Sequence, residues 1–392
     1  MTISRKMLAF AESSSWIRKM FEQGARMKTE FGPENVFDFS LGNPDLPPPP
    51  QFSHVLAELV GDEEPGCHAY MPNSGWPQVR AALAARLAQE QDAAVTADDL
   101  LMTCGAAGGL NVIMKALLDP GDEVIVFSPY FVEYTFYVDN HGGVLKILPT
   151  DAEFNLDLAA IEAALNEKTK AVLINSPNNP TGQIYSAESL AALGRLLDSA
   201  EERLGRSIYL IADEPYRKIV YDGITVPSVM AASRNAIVVS SYSKDLSLPG
   251  ERIGYVAVHP EMPDKAALLN AMTLANRILG FVNAPALMQR AVARLQEVSV
   301  DMSIYARRRE LFCAVLDAAG LQYIKPKGAF YLFPKTPIDD VEFCKLLLEE
   351  KILAVPGQGF GRPGHIRLAF CVDDQVIKGA AEGFKRVMAK MR

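Results

Sequence analysis

The stretch Ser240-Ser241-Tyr242-Ser243-Lys244-Asp245-Leu246-Ser247-Leu248-Pro249-Gly250-Glu251-Arg252-Ile253-Gly254-Tyr255 decides how this chain is read. Residues 236–239 before it and 253–258 at its end are apolar runs of strand length, so the polar segment between them reads as a loop joining two buried strands. That loop holds the groups a phosphorylated aldehyde calls for: an amine at Lys244, hydroxyl donors at Ser241 and Ser243, and a guanidinium at Arg252 for a phosphate. Taken alone, Lys244 reads as a solvated surface lysine. Its spacing from the serines, the Pro249-Gly250 turn and Arg252 sets it apart.

Upstream, short apolar runs at residues 123–127, 144–148, 171–174 and 208–212 alternate with helical patterns at 131–140, 157–165 and 187–203. Such alternation implies a mostly parallel sheet covered on both faces, and sheets of that kind gather ligands at the carboxyl ends of their strands. The polar residues of interest sit at those ends. Ser128-Pro129-Tyr130-Phe131 follows the first run, Asn175-Ser176-Pro177-Asn178-Asn179-Pro180-Thr181-Gly182 the third, and Asp213-Glu214-Pro215-Tyr216 the fourth. Earlier, a strand at residues 99–103 enters Cys104-Gly105-Ala106-Ala107-Gly108-Gly109, where small residues at a helix start let backbone N–H groups approach a phosphate. This segment satisfies neither the Gly-x-Gly-x-x-Gly dinucleotide pattern, because residue 107 is alanine, nor a P-loop. By itself each feature has an ordinary reading: a turn at Asn179, a strand-end cap at Asp213, a core aromatic at Tyr130, a helix start without ligand at Gly105.

Together, Asn179, Asp213, Tyr216, Lys244 and Arg252, separated by 34, 3, 28 and 8 positions, resemble the cofactor site of fold-type I pyridoxal-phosphate enzymes, the aspartate aminotransferase superfamily. The resemblance starts at about Trp16 and covers nearly the whole chain. It implies an α/β fold: a large domain with a mostly parallel seven-stranded sheet covered by helices, and a smaller α/β domain built from the N-terminal segment and the C-terminal third. The implied division is residues 1–46, 47–284 and 285–392. It also implies pyridoxal 5'-phosphate joined to Lys244, its ring nitrogen beside Asp213, its phenolic oxygen near Asn179 and Tyr216, and its ring stacked on Tyr130. The phosphate would be held by Gly105, Ala106, Ala107, Ser241, Ser243 and Arg252, and by Tyr70 of the partner subunit in a homodimer with shared sites. In this chain Tyr70 opens Tyr70-Met71-Pro72-Asn73-Ser74-Gly75, ahead of a helical pattern at 79–87.

Substrate residues by the same resemblance are Gly42, Asn179 and Arg367. Gly42 lies in Leu41-Gly42-Asn43-Pro44-Asp45, before four prolines at 47–50 that read as an extended linker. Arg367 stands between Ile366 and Leu368 in an apolar run; it resembles the arginine that grips a substrate α-carboxylate, with structural ion pairing as the alternative. Tyr331 reads equally as substrate neighbour or core. A dicarboxylate would call for a second cation, for which Arg277 and Lys327 are available, and the Ile17 region resembles a segment that closes over substrate.

The implied activity is transamination, with Lys244, Asp213 and Tyr216 catalytic, from an L-amino acid, aspartate first, to a 2-oxo acid such as 2-oxoglutarate. The lysine loop also resembles that of aminocyclopropane-carboxylate synthases, which keeps a same-fold carbon–sulfur lyase, decarboxylase or synthase open. A non-enzymatic sensor carrying an aminotransferase-like module would need a helix-turn-helix extension and a basic face. The net charge of −8 speaks against that, and against nucleic acid or an anionic membrane as partner. Five cysteines without Cys-x-x-Cys and five histidines without ligand spacing suggest neither disulfide framework nor metal, and a reducing cytoplasm. Residues 1–11 lack a leader pattern, and no apolar run approaches a membrane span. Helical spacing begins at Trp16, Ile17, Met20 and Phe21 and returns at 284–298, 305–319 and 376–388, with strands expected at 321–324, 329–333, 352–355 and 366–370.

Overall fold

The structure is a computed structural model that describes residues 3–12, 16–62 and 65–391, the side chains at 12, 17, 18 and 21 excepted. Its strands are β1 (Phe37–Asp38), β2 (Leu100–Thr103), β3 (Glu123–Ser128), β4 (Val144–Pro149), β5 (Thr169–Asn175), β6 (Tyr209–Asp213), β7 (Ala236–Ser241), β8 (Gly254–Val258), β9 (Tyr331–Leu332), β10 (Ile352–Leu353), β11 (Val355–Pro356) and β12 (Ile366–Ala369). β2 to β8 form a seven-stranded sheet in the order β2-β8-β7-β6-β5-β3-β4. β3 to β7 run parallel, while β8 is antiparallel to both β7 and β2 because the chain returns directly from β7 through residues 242–253. Ser241 and Thr103 both register against Gly254. The lysine loop and the start of helix Gly105–Leu117 therefore emerge side by side, at the carboxyl ends of the parallel strands.

The Val/Ile-rich runs become strands because both faces are covered. In β7, Ala236 and Val238 join the core under helices Pro50–Val60, Pro77–Glu90 and Ala187–Leu204, and Ile237 and Val239 join the core under Gly105–Leu117 and Lys265–Ile278. That two-residue alternation is what a buried strand presents. A second unit holds the sheet β11-β12-β9 and the pair β1-β10, packed on helices Met302–Ala319, Asp340–Glu349 and Asp374–Ala389. Phe39, just after β1, is fully buried with its ring 4.6 Å from that of Phe312. The N-terminal segment thus completes the C-terminal core. Helix Trp16–Phe31 forms, and Met20 is buried with Phe154, Phe333, Val355 and Phe360.

Three features differ from expectation. The prolines at 47–50 lead straight into helix Pro50–Val60, whose first position tolerates proline because its N–H would be unbonded anyway. Residues 321–324 form no strand; Gln322 O accepts one bond from Lys335 N, and Pro326 lacks the donor that a longer ladder would use. Helix Ala286–Ala293 packs on Pro50–Val60 and Pro77–Glu90, with Met288, Ala291 and Val292 in the large sheet's core, so a division at 284/285 separates it from its packing partners. The Ile17 side chain lies outside the described residues. Among the described residues, no helix is long and apolar enough to cross a membrane and no His/Cys/Asp/Glu group could hold a metal. All five cysteines are free.

Candidate active site

A cavity of about 280 Å³ opens where β5, β6 and β7 end, lined by Asn179, Asp213, Tyr216, Lys244, Arg252 and Arg367 among others. Sheet topology brings these residues together from positions far apart in the chain. A larger surface depression of about 780 Å³ lies elsewhere, around Glu201, Arg234 and His259, and holds none of the predicted groups.

Lys244 leaves the end of β7 and donates from Nζ to Gly42 O at 2.8 Å. Burial, opposed by Cys371 and aided to a lesser extent by Arg367 and Arg252, pulls its amine down to about 8. A fraction of it is therefore neutral, and nucleophilic, near neutral pH. Gly42 is required for this contact: a Cβ there would sit 2.0 Å from the Tyr331 hydroxyl. Tyr331 in turn meets Tyr216, hydroxyl to hydroxyl, at 2.8 Å.

Asp213 ends β6. Its Oδ2 accepts from Tyr134 Oη at 2.6 Å, and Asn175 Nδ2 donates to its backbone oxygen at 2.7 Å. Oδ1 is buried with no hydrogen-bond partner. Burial pushes the carboxyl up to about 7, against the Tyr134 hydrogen bond and with help from the charge of Glu214. Tyr134 and Tyr216 are raised well above their ordinary value, first by burial, and remain protonated donors.

Arg367 is 2 % exposed. Its Nη1 donates to Asn179 Oδ1 at 3.1 Å and its Nη2 to Ser40 O at 2.6 Å, while Nε has no partner. The guanidinium lies 4.8 Å from the ring centres of both Tyr331 and Phe360. No described carboxylate pairs with it, so the structural ion pair that its sequence context also allowed is absent, and burial disfavours its charge. A fork with a free edge and no anion is suited to an incoming carboxylate.

The same cavity is also lined by Ala106 and Ala107, on the first turn of helix Gly105–Leu117, and by Ser241, Ser243 and Arg252. Ser241 Oγ donates to Ser243 Oγ at 3.0 Å. Gly105 has φ +72°, and a Cβ there would lie 2.8 Å from Arg252 Nη2. Helix N–H groups, two hydroxyls and a guanidinium make an anion cradle. An orphaned carboxylate oxygen for a ring nitrogen, phenol donors nearby, an amine and this cradle fit pyridoxal phosphate.

Some predicted residues are not brought here. Tyr130 does not line the cavity: its ring packs beside Gly361, its hydroxyl lies 3.2 Å from that of Thr135, and its backbone N bonds Phe360 O. The aromatics that do line it are Phe131, Tyr134 and Tyr137. Their three-residue spacing after a strand is a signal the sequence carried, although it does not say which ring turns inward. Tyr70 is 91 % exposed and outside the cavity of its own chain. Arg277 and Lys327 are exposed and do not line it either.

Among known proteins, the family described as "Aminotransferase class I and II" matches residues 34–384. An aspartate/prephenate aminotransferase of Thermus thermophilus is 33 % identical over 358 residues, 90 % of each chain. An aspartate aminotransferase of Thermotoga maritima is 34 % identical over 356 residues, 89 % of this chain and 90 % of that one. Of solved structures, an amino transferase from Eubacterium rectale superposes with TM-score 0.96 at 42 % identity, covering 100 % of both chains. A Thermus thermophilus aspartate aminotransferase with maleate gives 0.88 at 29 % identity, covering 99 % of this chain and 100 % of that one.

Proposed function

The chain belongs to the class I and II aminotransferases and is a pyridoxal-phosphate-dependent transaminase of fold type I, and from that premise we propose that Lys244, Asp213, Tyr216 and Arg367 carry its chemistry. The observation behind this assignment is the convergence on one cavity of a lowered amine, a buried carboxylate with one oxygen unpaired and a guanidinium without an anion. When bound, pyridoxal phosphate supplies an electron sink that acidifies the Cα–H of an amino acid. Arg367 holds the substrate α-carboxylate and so fixes which Cα bond faces Lys244. Lys244 would hold the cofactor covalently at rest; freed when substrate binds, its Nζ would take the Cα proton as general base and deliver it to the former aldehyde carbon of the cofactor. Asp213, whose Oδ1 is left unpaired, would face the ring nitrogen of the bound cofactor and supply a fixed negative charge in a dry site. Tyr216 and Asn179 would donate to the phenolic oxygen, and Phe131, which lines the cavity where Tyr130 does not, would be an aromatic neighbour of the ring. Gly105, Ala106, Ala107, Ser241, Ser243 and Arg252 hold the phosphate.

Aspartate, named in the relatives' activities, is the first donor to test, with 2-oxoglutarate as acceptor. No described cation beyond Lys244, Arg252 and Arg367 lines the cavity, which keeps alanine and aromatic amino acids in the same panel. The protein acts as a homodimer in the cytoplasm, with Tyr70 of the partner subunit completing each phosphate site. Support comes from the loop that carries Tyr70: Asn73 Nδ2 donates to Val282 O at 2.9 Å, tying it to the end of helix Lys265–Ile278, where Leu274 and Ile278 are also exposed. The small domain comprises the N-terminal segment and the chain after helix Ala286–Ala293.

The test is a donor panel with 2-oxoglutarate, combined with borohydride reduction of the holoenzyme. Stoichiometric oxo-acid product and label on Lys244 are expected. Label on another lysine overturns the assignment, and ammonia or pyruvate released without an acceptor points to the lyase chemistry that the lysine loop also allows.

A further inference from the structure

The residues that follow Asp213 and Lys244 in the chain are both acidic, and neither lines the cofactor cavity. Glu214 and Asp245 line a separate void of about 10 Å³ together with Arg86, Glu90, Arg217 and Lys218. Three cations and three anions meet there. Arg217 Nη1 lies 3.0 Å from Glu214 Oε2 and its Nε 3.9 Å from Glu90 Oε2. Arg86 Nε lies 3.3 Å from Glu90 Oε1, and Lys218 Nζ 3.6 Å from Asp245 Oδ2. Glu214 is 2 % exposed, Asp245 7 % and Arg86 8 %. Neutral partners complete the cluster: Gln91 Nε2 donates to Glu214 at 3.0 Å, and Arg86 Nη2 to Tyr255 Oη at 3.0 Å.

Four of the six members follow strands that also deliver part of the site, and a neighbouring helix supplies the other two. Glu214, Arg217 and Lys218 follow β6 and Asp213; Asp245 follows β7 and Lys244; Arg86 and Glu90 reach in from helix Pro77–Glu90. Ion clusters in a protein interior contribute little net stability relative to apolar packing, whereas deleting one member strands a charge. At this place a stranded charge would act directly on Asp213 and Lys244. Other groups face those two: Tyr134 and Tyr137 from helix Glu133–Asp139 and Tyr216 toward Asp213, and Cys371, Arg367 and Arg252 toward Lys244. Burial keeps the tyrosines and Cys371 protonated; it also raises the carboxyls of Glu214 and Asp245, opposed by Arg217 and by Lys218 and Arg86 respectively, so the cluster is where charge balance is adjustable.

The geometry points to Arg86, Glu90, Glu214, Arg217, Lys218 and Asp245 as positioning residues, a charge-balanced buttress that sets the placement and the electrostatic potential of Asp213 and Lys244. This rests on the assignment of Lys244 given above. The test reads the pH midpoint of the visible absorbance of the bound cofactor in holoenzyme, with thermal midpoints alongside. Glu214→Gln leaves one positive charge in excess and lowers that midpoint; Arg217→Met leaves one negative charge in excess and raises it, each by about half a unit or more. The double variant is neutral again, and its midpoint returns close to wild type whatever its melting temperature. Shifts of the same sign in both single variants, which a merely structural role produces, overturn the proposal, as does a double variant displaced as far as either single. Should either single fail to fold, Lys218→Gln at the partly exposed edge carries the test: its midpoint rises, and an unmoved midpoint in the folded variant overturns the buttress. Borohydride label on a lysine other than 244 in wild type marks failure of the underlying assignment, and overturns both.

Discussion

Single residues set the chemistry, and Asp213 shows how. Its ordinary carboxyl value of 3.8 is pushed up to about 7, mainly by burial. Over that window the unfolded chain holds fewer protons than the folded one, so cofactor-free protein loses stability as pH rises from about 4 to 7. Asp213→Asn removes this penalty. Relative to wild type, the cofactor-free variant therefore gains stability as pH rises from 5 to 8, by about 3 kcal/mol, read from urea midpoints. A difference that does not change with pH contradicts the buried-carboxylate account. If the proposed role holds, the ring nitrogen of the bound cofactor would supply the missing partner of Oδ1, and the same substitution is then expected to cost activity. Lys244 was legible from its neighbours in sequence, but Tyr130 was misread. The choice between adjacent aromatics is made by packing against Gly361 and Thr135, which lie 231 and 5 positions away.

At the scale of elements, helix Gly105–Leu117 is the one whose start bears on function. Its opening backbone is left-handed at Gly105, and the space beside it is filled by Arg252. Gly105→Ala adds about 1 kcal/mol of strain at a positive φ and pushes on Arg252, the arginine proposed to hold the phosphate. Its expected outcome is cofactor affinity weakened about tenfold or more, with a smaller change in donor selectivity, measured by equilibrium dialysis of the cofactor and by the donor panel. Unchanged affinity would remove this helix from the phosphate site. The strand runs were readable because β5, β6 and β7 are buried on both faces and thus nearly all apolar. Helix Pro50–Val60 was not, since prolines signal both an extended linker and a helix start.

For the whole molecule, the exposed Tyr70 carries the question of shared sites. Tyr70→Ala and Lys244→Ala chains are each expected to form weakened or inactive homodimers. Refolded together, they produce mixed dimers in which one site combines an intact Lys244 with an intact Tyr70, and activity reappears to a fraction of wild type. No recovery, with mixed dimers shown to form by tagged pull-down, excludes a site built from two chains.

The sequence by itself determined the layered α/β plan and singled out Lys244, because apolar periodicity and a contiguous Ser-x-Ser-Lys loop are local properties of the chain. Asn179, Asp213 and Tyr216 were also in view, since each lies just beyond a strand end. Tertiary structure alone decided that Gly42 O meets Lys244 Nζ across 202 positions, that Phe131 and Tyr134 face inward, and that Arg86 stands beneath the site beside Tyr255, 169 positions away. Those contacts depend on how strands and helices are stacked in space, and separation along the chain carries no record of that stacking.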